Sequence, residues 1–132
     1  MAAHAGYGAR CLALLLAVAT SSAFADDAAS FHRDVEPILN KHCVQCHMEG
    51  TELGNFSLYP DPRGNMVGMR STQCRLNLVE PGEPDKSYVL LKMLDTHLAA
   101  GGKGLRMPWE YDLSKADIEV VRQWILQGAT DN

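Results

Sequence analysis

The chain has 132 residues, with 12 basic and 16 acidic side chains and a formal net charge of −4. That length is one small domain, and the acidic balance disfavours nucleic acid and anionic membrane surfaces as partners. A domain of this size buries a modest fraction of its surface, so a metal, disulfide or cofactor often adds to its stability.

The N-terminus reads as an export signal. Arg10 supplies a weak positive region, Leu12 to Ala19 is unbroken apolar sequence, and Ala23-Phe24-Ala25 offers small residues for a signal peptidase. Residues 1–25 are therefore expected to be a cleavable signal peptide and 26–132 a single domain. The apolar run is too short for a membrane span, and no other segment is long enough for one. Cys11 sits in a poor context for lipid attachment and is expected to leave with the signal. Cleavage would leave 11 basic and 16 acidic residues, a net charge of about −5 that suits a partner with a basic docking patch.

The first helix is expected to begin near Asp34, with Asp34 as N-cap, Pro37 in the first turn and Ile38 and Leu39 turned to the core. Phe31 lies just upstream as a packing residue. The helix leads into Cys43-Val44-Gln45-Cys46-His47. Gly50 to Pro81 reads as a long loop, with Tyr59-Pro60-Asp61-Pro62-Arg63-Gly64-Asn65 a dense cluster of turn formers. A loop of that length makes sense if it wraps a large ligand. A second helix is expected from Pro84, with Tyr88, Leu91 and Leu94 at helical spacing, ending by Gly101-Gly102-Lys103-Gly104.

The third helix is the best specified. Ser114 is its N-cap with Asp117 at N3, and Leu113 and Ile118 form a hydrophobic staple. Ile118, Val121 and Ile125 make one apolar stripe with Trp124 beside it, and Gly128 ends the helix.

Cys43-Val44-Gln45-Cys46-His47 is C-x-x-C-H, the attachment signature of c-type haem. Two thiols add to the two vinyl groups on one porphyrin edge, and the following His reaches the iron. On a helical turn, positions i, i+3 and i+4 share a face, so Cys43, Cys46 and His47 would point the same way. A chain of this composition is expected to match the motif by chance about 0.005 times. A disulfide between Cys43 and Cys46 lacks the βαβ context of a redox motif, and a zinc site lacks a second ligand pair.

The iron's second axial ligand decides the chemistry. Met107, beside Pro108 in the loop before the last helix, is the expected distal ligand. Met66, Met69, Met93 and His97 are its rivals. Met48 is too near His47 to reach the opposite face. Met93 reads as core, His97 as a residue meeting the last carbonyls of a helix, and His32 and His42 as surface residues. Cys74 is left without a partner and reads as a small buried residue, with an intermolecular disulfide as the sharper alternative.

The chain resembles the class I cytochrome c fold, and more narrowly the planctomycete-type cytochrome c family. The resemblance is carried by Val35-Glu36-Pro37-Ile38-Leu39 ahead of Cys43-Val44-Gln45-Cys46-His47, by Pro81-Gly82-Glu83-Pro84 with Ser87-Tyr88, by Met107-Pro108, and by Trp124-Ile125 with Gly128-Ala129. It implies an all-α domain of about three main helices and long loops around one covalently bound haem c, with His47 proximal and Met107 distal. Two positions depart from the pattern. Trp109 stands where such domains often have a second Pro, and Met48 follows the haem His where many have Gly.

The resulting expectation is a periplasmic monohaem cytochrome passing single electrons to redox partner proteins, as a free carrier or as the electron-transfer subunit of an oxidoreductase, and not itself an enzyme. The alternative is a gas- or peroxide-reactive or sensory haem with a labile distal ligand. No distal acid–base pair is evident in the sequence to support it.

Overall fold

In the computed structural model the described residues are Met1, 28–48 and 53–132. Apart from Met1, the expected signal segment falls outside them, as does Cys11. Among the described residues the fold is all-helical, with three α-helices, no strand and three isolated β-bridges.

The first helical run starts at Phe31, three residues before Asp34. Ser30 is the N-cap, its Oγ accepting the Arg33 N–H at 3.2 Å, while the Asp34 carboxylate reaches back to accept the Ser30 N–H at 2.8 Å. Asp34 therefore caps from inside the first turn, in a reciprocal arrangement close to a capping box. A π-helical turn, Phe31–Val35, runs directly into α1, Glu36–His42, with Pro37 in its first turn. The early start buries Phe31 and Val35 together with Ile38 and Leu39.

α2 spans Tyr88–Met93 and follows a 3-10 turn, Pro84–Lys86. It is shorter than its apolar spacing predicts because the backbone turns out at Asp95, where φ is +58°. The chain then closes a set of tight turns, with Thr96 N–H on Leu91 O and Gly102 N–H on His97 O.

α3, Lys115–Leu126, forms as the sequence predicts. Ser114 Oγ accepts the Asp117 N–H at 3.0 Å, Leu113 is buried, and Val121, Trp124 and Ile125 are almost fully enclosed. Gly128 sits at φ +99°, and the Ala129 N–H returns to Trp124 O, closing the C-terminus. Trp124 packs on Phe31 with ring centroids 5.3 Å apart and donates its indole N–H to Thr130 O at 2.9 Å. That pair joins the first helical run to the last. The two ends of the domain are also zipped by hydrogen bonds from Ala29 N–H to Gln127 Oε1 and from Phe31 N–H to Asn132 Oδ1.

Between α1 and α2 the chain makes no α-helix among its described residues, but it is not loosely held. Val79 N–H bonds to Met66 O, Gly68 N–H to Val79 O and Leu78 N–H to Met69 O. Tyr88 and Val89 then donate to Asn77 O and Leu78 O, so this folded-back segment is bound to the start of α2. Leu58, Met66 and Val79 are its contribution to the core.

Candidate functional site

α1, the 53–58 segment, the 66–78 segment and α2 surround a cavity of about 130 Å³. Its lining is mostly apolar, with Leu39, Leu58, Leu78 and Val89 among it, and also carries polar Asn55, Arg70, Thr72 and Gln73.

α1 ends at His42, and Cys43 leaves helical geometry at φ −124°. The chain keeps turning, because Cys46 and His47 both donate their N–H to Cys43 O at 3.1 Å. This turn brings Cys43 and His47 to the cavity wall; Cys46 belongs to the same turn but is not among the lining residues. Cys43, Cys46 and Cys74 are all free thiols, each partly buried. Burial pushes the Cys43 thiol up to about 12, with Cys46 beside it adding to the rise. A neutral thiol of this kind is the opposite of the depressed, thiolate-forming cysteine of a redox-active dithiol.

His47 Nδ1 lies 3.0 Å from Phe56 O. A carbonyl only accepts, so Nδ1 carries the proton and Nε2 keeps a bare lone pair. The ring also packs on Phe56, with centroids 5.0 Å apart. Burial holds the imidazole below its ordinary pKa, against the carbonyls of Phe56 and Leu53, with the Lys92 charge lowering it further. A neutral imidazole whose Nδ1–H is held by a carbonyl is the form a metal requires of a His ligand.

Three thioethers reach the same cavity: Met107, Met66 and Met93. Met107 is partly buried, and its N–H is held by Lys92 O at 3.0 Å. Met66 and Met93 are also core residues, at 1% and 8% exposure. Met69 is half exposed and does not line the cavity. Neither does His97, which is buried and donates Nε2–H to Gly104 O at 2.9 Å. Trp109 is exposed.

His42 departs from the surface position expected of it. Its ring is largely buried, with Nδ1 2.8 Å from the Tyr111 hydroxyl and Nε2 3.9 Å from Asp117, so it ties the end of α1 to the start of α3. Cys74 is partly exposed, where a buried position was expected. Two contributors to the site were missed in the sequence. The Phe56 carbonyl is a backbone group and leaves no trace in residue identity. Lys92 did leave one, as a single cation within Val89-Leu90-Leu91-Lys92-Met93-Leu94.

Among the described residues, no three of His, Cys, Asp and Glu gather into a metal site of their own, and no helix is long and apolar enough to cross a membrane. The donor types at the cavity are ones a haem can use: a mostly apolar lining carries the Cys43 thiol, the His47 imidazole and three thioether sulfurs. Comparison of the chain with family models, with curated proteins and with solved structures finds no match.

Proposed function

We propose that the chain is an exported, monohaem c-type cytochrome of the periplasm that carries electrons singly, with the small all-α cytochrome c fold that its motifs resemble. The observation that carries this reading is the meeting of Cys43, His47 and Met107 at the lining of one largely apolar cavity, with the His47 Nδ1–H engaged by Phe56 O. Cys43 and Cys46 would hold haem c covalently, His47 would bind its iron on the proximal side and Met107 on the distal side. When bound, that group supplies a reversible one-electron ferric–ferrous couple.

The chain's own residues do the rest. Phe56 O fixes the His47 ring and keeps its proton on Nδ1. Leu39, Leu58, Leu78 and Val89 would give the group an apolar setting of low dielectric. Arg70, Thr72 and Gln73 in the same lining offer donors for acidic groups. The acidic chain suits a redox partner with a basic docking patch, either in transient encounters or as part of an oxidoreductase assembly.

The test is expression alongside a c-type maturation system, followed by denaturing electrophoresis and spectra of both oxidation states. Covalent haem that stays with the chain and a reducible c-type spectrum are the expected result. A colourless chain would remove the reading.

A further inference from the structure

Lys92 is 8% exposed, and among the described residues no carboxylate lies within 4 Å of its ammonium. Burial disfavours the charged form of Lys92 while Asp95 opposes that, and a buried charge is rarely kept without a compensating arrangement. Here the arrangement is the chain between 103 and 107. Lys92 Nζ donates to Lys103 O at 2.7 Å and also to Leu105 O, while the Lys92 carbonyl accepts the Met107 N–H at 3.0 Å. One residue of α2 thus grips three points of a five-residue segment.

Two more buried side chains reinforce the grip. His97 donates Nε2–H to Gly104 O at 2.9 Å, which leaves its Nδ1 without a hydrogen-bond partner. The Tyr88 hydroxyl accepts the Lys103 N–H at 3.2 Å and donates to Gln73 Oε1 at 2.8 Å, with its ring 5.8 Å from the Lys92 ammonium. Carbonyls 103, 104 and 105 are therefore all taken by side chains, two of them by one ammonium. A charged donor forms stronger hydrogen bonds than a neutral one and satisfies two acceptors at once, which no apolar residue of similar length can do.

We infer that Lys92 is a positioning residue that fixes the 103–107 segment and so delivers the Met107 thioether to the cavity. This rests on the haem reading for its consequence at the iron, but the clamp itself does not. Without the ammonium, carbonyls 103 and 105 would turn to water, and Met107 would keep only its backbone bond to Lys92 O. The thioether would then become a labile ligand, while Cys43 and Cys46 keep their surroundings and His47 loses only the Lys92 charge that lowers its pKa.

Lys92→Met tests this, because it keeps the length of the side chain and the backbone carbonyl while removing both donors. The variant is expected to retain covalent haem and wild-type far-UV circular dichroism. The weak long-wavelength Met–iron band of the oxidised form should fade, and carbon monoxide should bind the reduced form about tenfold faster or more. Amide hydrogen exchange at Lys103 and Met107 should rise by a similar factor, with α3 unchanged. A variant with the wild-type band, carbon monoxide rate and exchange would overturn the assignment.

Exchange separates the two ideas. If the wild type carries no haem, the haem reading fails, yet protection of Lys103 and Met107 that depends on Lys92 still upholds the clamp, and its absence rejects it. Should Lys92→Met not fold, Lys92→Gln, which keeps a shorter, uncharged donor, is read by the same measures. Intermediate exchange at Lys103 and Met107 is then expected, and wild-type exchange rejects the clamp.

Discussion

The imidazole of His47 is held by the carbonyl of Phe56, 3.0 Å from Nδ1, while the Leu58 N–H returns to His47 O at 2.6 Å. The segment that leaves His47 therefore folds back to orient it. The orientation of the ring is fixed by backbone geometry, which side-chain changes at 56 and 58 leave largely in place.

Met107→Ala is expected to keep covalent haem and lose the Met–iron band, because Met66 and Met93 are committed to the core. Its reduction potential should fall, since thioether ligation favours the ferrous state. Spectra and redox titration of Met107→Ala, Met66→Leu and Met93→Leu side by side check this. If the band disappears with Met66→Leu or Met93→Leu and survives Met107→Ala, the distal ligand is one of those core sulfurs.

Thiol counting tests attachment without reference to the iron. In denaturant, the processed and loaded chain should alkylate once, at Cys74, with Cys43 and Cys46 protected as thioethers. Mass spectrometry reads the number of adducts directly, and three adducts would show that neither thiol had been used.

His32 gives the domain a pH dependence remote from the cavity. Its Nδ1 lies 3.0 Å from Glu36 Oε2 and its Nε2 3.0 Å from Asp131 Oδ1. The hydrogen bond to Glu36 is the main cause that raises its pKa above 6.5, with Asp131 adding to it and desolvation opposing. The folded state thus prefers the charged ring. Its stabilising contribution is complete below about pH 6.5 and is lost as pH rises through the higher folded value. His32→Gln should flatten the fall in Tm between mildly acidic and mildly alkaline buffer, and added salt should shrink the difference. Parallel curves for the two proteins would contradict this.

Trp124→Ala should destabilise the domain by about 3–5 kcal/mol, since the side chain is almost wholly buried against Phe31 and its N–H is paired. Guanidinium unfolding gives the number. A loss below about 1 kcal/mol would mean that the joint between the first and last helices carries little of the stability.

What could be read from the sequence divides along physical lines. α3 was legible because its cap, staple and apolar stripe are local, all lying between Leu113 and Gly128. The burial of Ile38 and Leu39 followed from the same periodicity. The start of the first helix was misplaced because Asp34 looks like an N-cap in sequence, whereas its carboxylate serves the N–H of Ser30 one turn earlier. α2 was overextended because Leu94 continues the apolar spacing, and nothing local announces the left-handed Asp95. The site shows the same split. C-x-x-C-H is contiguous and readable, but Lys92 meets carbonyls more than ten residues away, and the folded-back 66–79 segment is held by main-chain bonds that no residue pattern records.

Those main-chain bonds have an evolutionary consequence. The wall from Met66 to Val79 keeps its shape through N–H to carbonyl pairs linking Met66 with Val79 and Met69 with Leu78. Scaffold and lining are thereby uncoupled over this stretch. Point changes at Arg70, Thr72 or Gln73 can alter the polarity of the cavity lining without redrawing the backbone that carries them. A lineage with this architecture can tune the properties of whatever the cavity holds by single substitutions, leaving the helices and their caps as inherited.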